Sequence, residues 1–220
     1  MGLELAVFLG MAGAFIVGSL PAGYLLGRLR GINIREHGSK NVGATNVFRT
    51  LGTGYGIAVL LFDGLKGFAA VGLIPAACVG LTADWAALSL WTQNLVEVLI
   101  GSAAIAGHMW SIFTGWDGGK GVATAAGVFL CIDSTVTGIA TLTFLAVFVR
   151  FRYVSLGSLL GTLAAATAAV ALGRELPTVV LTLFLVAFIA IRHRANIARM
   201  RSGTEPRVRL PWEQKQKNPS

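Results

Sequence analysis

Seven stretches of this chain are apolar over a length that approaches or reaches what a lipid bilayer demands. Their limits are about 4–27, 55–78, 94–109, 120–133, 135–150, 157–173 and 177–192. A helix needs roughly 20 apolar residues to cross a hydrocarbon core. Hydrophobic residues make up 55% of the 220-residue chain and its mean hydropathy is +0.71. Charged residues make up 13%, about half the usual share of ~25%. A soluble domain cannot hide that much apolar surface, so the expectation is an all-α integral membrane protein, a seven-helix transmembrane bundle. Residues 1–205 form its single domain and 206–220 a polar cytoplasmic tail. The first span lacks a basic segment before it, Glu4 being its one charge, so it reads as a retained span rather than a cleaved signal.

The third and fourth stretches are short, about 14–16 residues, and flank Gly118-Gly119-Lys120-Gly121. Two short helices meeting at a glycine-rich turn imply non-helical backbone at membrane depth. That is tolerated where it lines a polar cavity.

Charge sets the orientation. The loop 28–50, the Lys120 turn, Arg150 to Tyr153 and the tail from Arg192 onward hold sixteen of the eighteen Lys and Arg. The opposite loops hold Arg174 with Glu4, Asp84, Glu97, Asp133 and Glu175. Basic loops stay in the cytoplasm, which places the N-terminus outside and the C-terminus inside, as an odd number of spans requires. The net charge of +8 is thereby explained by topology and anionic lipid. No aromatic-interleaved basic groove accompanies it, so nucleic acid is not an expected partner. Cys78 and Cys131 sit in apolar surroundings without metal-ligand spacing and read as small core residues; no metal or other cofactor is expected.

Three polar islands interrupt the apolar text, and they hold most of the groups able to grip a phosphate. The first runs from Gly38 to Arg49 and includes Ser39, Asn41, Thr45 and Asn46. Glycine lets successive N–H groups turn inward into an anion-binding nest, and Arg49 offers a planar fork. The same residues also describe a capped helix start. In the second island Gly118, Gly119 and Gly121 surround Lys120 just before an apolar helix, whose N-terminus favours anions. The spacing lacks the leading half of a nucleotide-binding P-loop. Burying an unpaired ammonium at Lys120 is costly, which argues for an anionic ligand. In the third island His193 and Asn196 share a helix face beside Arg192, Arg194 and Arg199, which read as interfacial anchors. Such a pair can orient a nucleophile or stabilise developing charge.

Asp63 and Lys66 lie inside the second stretch at i,i+3 spacing and are read as a structural pair that shapes the cavity floor. His108 is read as a hydrogen-bonded structural residue. Ser155 and Ser158 supply hydroxyl donors at another cytoplasmic break, or cap the helix that follows.

Taken in order, these motifs resemble one family, the bacterial membrane acyl-phosphate:glycerol-3-phosphate acyltransferases. The resemblance rests on Gly18-Ser19-Leu20-Pro21, Gly38-Ser39, Asn41 to Asn46 with Arg49, and Asp63 with Lys66-Gly67. It continues through Gly107-His108, Gly118 to Thr124, Val154-Ser155-Leu156, Arg192-His193-Arg194, Asn196-Ile197, Arg199, Gly203 and Glu205. It implies transfer of a fatty acyl group from an acyl phosphate to the 1-hydroxyl of glycerol 3-phosphate, giving lysophosphatidic acid and phosphate at the cytoplasmic side of the bacterial inner membrane. It implies that Ser39 and Arg49 are essential, that the Gly118–Gly121 turn with Lys120 holds glycerol 3-phosphate, that His193 and Asn196 serve catalysis, and that Glu205 supports structure. Gly38, Asn41, Thr45, Asn46 and Ser155 join the substrate-binding set. Membrane lipid is the surrounding partner, and no obligate protein partner is evident.

This chain departs from the family pattern at Lys40, Ser111 and Asp117. Glycerolipid acyltransferases that use thioesters carry His followed five positions later by Asp. Here His37, His108 and His193 are followed at that spacing by Val42, Phe113 and Ala198, which favours an already activated acyl phosphate. Two other classes fit parts of the pattern. A transporter of a phosphorylated solute suits the short spans at a basic mouth. A metal-dependent head-group phosphotransferase suits Asp63-Gly64, but its later pair of aspartates is absent.

Overall fold

A computed structural model describes residues 2–80 and 84–208; the expected polar tail beyond 208 lies outside them. All regular structure among these residues is helical. The first apolar stretch forms α1 (Leu3–Ser19) and α2 (Ala22–Leu29), separated at Leu20-Pro21, where the proline ring removes a backbone donor. Then follow α3 (Ala44–Leu51), short and amphipathic, and α4 (Thr53–Val79), 27 residues long. Next come α5 (Leu90–Met109), α6 (Val122–Ile132), α7 (Ser134–Phe151), α8 (Val154–Ala171) and α9 (Leu176–Arg192). The last span ends at Arg192, and α10 (Arg194–Arg201) turns away from α9 by 62°.

Among the described residues five helical stretches meet the length and hydropathy needed to cross a bilayer, or six with the bent α9–α10 pair counted. The fourth expected span, 120–133, is the 11-residue α6. At 1.5 Å per residue it covers roughly 16 Å, about half of a ~30 Å hydrocarbon core. Only one helix beside the glycine turn is short, contrary to expectation. The 20-residue α5 begins at Leu90 because Ser89 Oγ accepts the Thr92 amide at 3.2 Å. The helix thus starts four residues before the expected stretch at 94: Gln93 bonds the Trp85 and Leu88 carbonyls of the preceding turn, and Asn94 bonds Thr178.

Small residues set the packing, as expected where helices associate without water to drive them together. A Cβ at Gly127 would fall 1.9 Å from the Gly64 carbonyl oxygen, and one at Gly67 would fall 2.2 Å from that of Thr124. Glycine on both helices therefore brings α4 and α6 into backbone contact. The outward surface is the reverse of a soluble protein's: Phe8, Leu61, Leu65, Leu142, Leu183 and Phe184 are all more than half exposed. A continuous apolar exterior of this kind faces lipid. At the ends opposite the glycine turn, Arg174 Nε meets Asp133 Oδ2 at 2.7 Å and Asp133 caps α7 through the Val136 amide. Since α7 has 18 residues to the 11 of α6, the glycine turn sits recessed relative to the other end of α7. Cys78 and Cys131 are free thiols.

Candidate functional site

A cavity of about 350 Å³ opens where these recessed elements meet. Its polar mouth takes Ser39, Asn41 and Arg49 from the first island, Lys120 from the second and Asn196 from the third. Its inner branch is apolar, walled by Phe129, Phe144, Leu185 and Ile189 with Gly157 and Gly161. Thr137 and Thr162 face the same space, but their hydroxyls bond carbonyls of their own helices, which keeps the wall apolar. One cavity thus joins a cationic mouth to a lipid-like branch.

Lys120 Nζ donates to Asn196 Oδ1. Asn196 Nδ2 donates in turn to Glu205 Oε1 at 2.7 Å, which also accepts from Ser155 Oγ at 3.0 Å, while Glu205 Oε2 takes Arg199 Nε at 2.7 Å. Burial raises the Glu205 carboxyl, but its bonds from Asn196, Arg199 and Ser155 outweigh that and hold it below the usual range. Burial, with Arg199, Arg49 and Arg192 nearby, lowers Lys120 to about 8 against the opposing pull of Glu205. An ammonium this deprived of solvent gains from an anionic partner. The amides opening α6 point the positive end of that helix at the same space, since Gly121 provides no side-chain cap.

Arg49 Nη2 donates to the Pro206 carbonyl at 3.1 Å. The segment after α10 therefore crosses the mouth and continues to Val208, whose amide bonds the Arg152 carbonyl. His193 is buried, and its Nδ1 lies 2.8 Å from the Ile189 carbonyl. A carbonyl can only accept, so Nδ1 carries the proton and Nε2 keeps its lone pair. Burial first, then Lys120, lowers His193 to about 4, which leaves it neutral at physiological pH. His193 stands behind the cavity wall, which Asn196 reaches and His193 does not.

Several expected site residues are committed elsewhere. Asn46 accepts the Ser39 amide and donates to the carbonyls of Ile34, His37 and Asn41, so it organises the first loop. The amides of Gly118 and Gly119 bond the Met109 and His108 carbonyls, and so these two glycines are not an open nest. Ser155 reaches Glu205 and is not part of the cavity wall. Thr45, Gly121, Ser39 and Asn41 do line it, while Gly38 shapes the loop at φ +58° beneath Asn46 Oδ1. Asp117 pairs with Arg35 at 3.3 Å, away from Lys120.

Arg192, expected as an interfacial anchor, grips the glycine turn through the Gly118 and Gly119 carbonyls at 2.9 and 2.8 Å. Its position directly before His193 was the available signal. Asp63 and Lys66 form the expected pair at 2.7 Å, and Asp63 with His108 reaches the cavity.

The sequence model of a family described as Glycerol-3-phosphate acyltransferase matches residues 8–203. A protein of that name from Geobacter sulfurreducens is 42% identical over 196 residues, covering 89% of this chain and 94% of the relative. One from Synechocystis is 43% identical over 196 residues, covering 88% and 87%. Among solved structures, PlsY (YgiH), described as an integral membrane glycerol 3-phosphate acyltransferase, superposes in its glycerol 3-phosphate form with a TM-score of 0.81. It is 35% identical and the match covers 92% of this chain and 96% of that one. Its lysophosphatidic acid form superposes at 0.78 with the same identity.

Proposed function

The chain belongs to the glycerol-3-phosphate acyltransferase family, and from that premise we propose that it moves a fatty acyl group from an acyl phosphate to the 1-hydroxyl of glycerol 3-phosphate. The products are lysophosphatidic acid and inorganic phosphate. What carries this reading is the single cavity with Arg49, Lys120 and Asn196 at its mouth and an apolar branch behind them. Both substrates are phosphorylated and one carries a long tail, and this cavity offers a place for each kind of group.

In this reading Lys120 and the N-terminus of α6 hold the glycerol 3-phosphate, and Arg49 exchanges the Pro206 carbonyl for the acyl phosphate. The tail lies in the apolar branch. Holding two reactants in register contributes about 7–11 kcal/mol toward the barrier. The 1-hydroxyl oxygen bonds the acyl carbon, the carbon–oxygen bond to phosphate breaks, and the electron pair leaves with the phosphate. Ser39 Oγ–H donates to the carbonyl oxygen as it becomes anionic. The proton passes to a phosphate oxygen. A phosphate whose second pKa is about 6 outcompetes His193 at about 4. His193 instead stays neutral behind the wall that Asn196 reaches. No metal or organic cofactor takes part in this scheme.

On the strength of the basic loops we read this mouth as facing the cytoplasm at the bacterial inner membrane, with the N-terminus outside, the C-terminus inside and α6 as a shortened crossing. Residues 1–205 act as one domain with 206–220 as its tail. Purified protein in detergent, given glycerol 3-phosphate with palmitoyl phosphate or palmitoyl-CoA, tests the reading. Lysophosphatidic acid should form from the phosphate donor and not from the thioester. Product from palmitoyl-CoA alone would overturn the donor assignment.

A further inference from the structure

Three ionisable side chains lie buried among the spans and take no part in the scheme above. Lys66 Nζ meets Asp63 Oδ1 at 2.7 Å and the Leu20 carbonyl at 2.8 Å. His108 Nδ1 lies 3.4 Å from the same carboxylate oxygen. All three residues are at least nine-tenths buried. Charges inside spans are costly and are retained for a reason, and a buried ion pair is weak evidence of stability alone.

The chain of contacts starts at the break between α1 and α2 and ends beneath the glycine turn. His108 Nδ1 faces the Asp63 carboxylate, and Nε2 is the nitrogen turned to the glycine turn. A Cβ placed on Gly119 would fall 2.0 Å from that Nε2, and one on Gly118 would fall 2.0 Å from the His108 carbonyl oxygen. The Gly119 amide donates to that same carbonyl at 3.0 Å. His108 therefore supports the turn from below while Arg192 grips it from above. Gly119 thus packs directly against Nε2.

We propose that the Lys66–Asp63–His108 chain is a positioning device. It holds the His108 ring under Gly119 and thereby sets where the next residue, Lys120, meets the phosphate of glycerol 3-phosphate. The proposal rests on the functional reading above. It gives Gly119 a specific role, since only a residue without Cβ fits over that ring.

The test uses the full-length protein in detergent, with initial rates in both substrates, calorimetric binding of glycerol 3-phosphate, and melting temperature as a check of folding. Gly119→Ala and His108→Ala should each weaken glycerol 3-phosphate binding and raise its KM at least tenfold. The KM for palmitoyl phosphate should stay within threefold. In Gly119→Ala/His108→Ala the new methyl has space, so binding should be no weaker than in His108→Ala alone. Asp63→Asn/Lys66→Met removes both charges without orphaning either and should raise the same KM. Losses that multiply in the first double variant, or parent-like binding in the folded variants, would overturn the proposal. Calorimetry reads glycerol 3-phosphate without acyl transfer. A parent protein that binds it yet makes no product would contradict the reaction while the positioning test still stands; one that does not bind it would contradict both.

Discussion

Lys120 and Asn196 stand 76 residues apart in the chain, yet the Lys120 ammonium donates directly to the Asn196 side-chain oxygen. Through Asn196 the contact extends to Glu205 and so ties the second polar island to the third. The carboxylate of Glu205 is the anchor of that network, holding Asn196, Ser155 and Arg199 together. Glu205→Gln removes the charge and sets an amide N–H₂ against Arg199 or Asn196. Hydrogen bonds to charged groups are worth about 1.5–3 kcal/mol each, so melting temperature should fall by several degrees and activity with it. An unchanged melting temperature would show that the network is dispensable.

The same carboxyl gives an acid dependence. Its folded pKa lies below the ordinary value, so its contribution to stability is fully present above the unfolded pKa of about 4.3. That contribution is lost as pH falls through the folded pKa. Below about pH 4 the parent should lose stability more steeply than Glu205→Gln, as melting curves across pH would show.

On the alkaline side Lys120 titrates at about 8. The free-enzyme profile, kcat/KM for glycerol 3-phosphate, should be flat up to that point and then fall about tenfold per pH unit. Lys120→Arg should move this limb out of range, since arginine stays charged above pH 12. His193, neutral at about 4, should contribute no limb, and His193→Gln should leave the acid side unchanged. A limb near 6.5 that vanishes in His193→Gln would restore the histidine as a proton acceptor.

Lys40 occupies the left-handed region at φ +60°, the conformation glycine tolerates best. A side chain there costs about 1–2 kcal/mol, part of which glycine returns in backbone entropy. Lys40→Gly should therefore raise melting temperature by roughly 2–4 °C for a chain of this size. A lower value would mean the lysine has a favourable contact that outweighs its backbone.

Ser39 faces the cavity mouth, where it is assigned to the developing oxyanion. Removing one such donor costs about 10²–10³-fold in rate. Ser39→Ala should lower kcat on that scale while the KM for glycerol 3-phosphate moves little. The reverse pattern in initial-rate kinetics would reassign Ser39 to ground-state binding.

The membrane class, the helical fold and the three islands were legible because apolar length and glycine, hydroxyl and cation clustering are local properties. The shortness of the helix after the glycine turn was legible in the same way, whereas the full length of α5 was not, because Leu90 to Gln93 precede the apolar stretch that starts at 94. Gln93 lies just before that stretch, and its bonds to the Trp85 and Leu88 carbonyls in the preceding turn are seen only in the fold. Arg192 shares its composition with Arg194, which is exposed. Only the fold shows that Arg192 turns onto the Gly118 and Gly119 carbonyls. Asn46 likewise reads as a phosphate donor until its four bonds within the loop are seen.

The account turns on a cationic mouth that brings two phosphorylated molecules together, and Lys120→Ala addresses it most directly. Initial rates should be measured against glycerol 3-phosphate and palmitoyl phosphate in turn. The KM for glycerol 3-phosphate should rise by an order of magnitude or more, with that for the donor changed much less. Parent-like constants for both substrates in the folded variant would contradict the placement of glycerol 3-phosphate at this cavity.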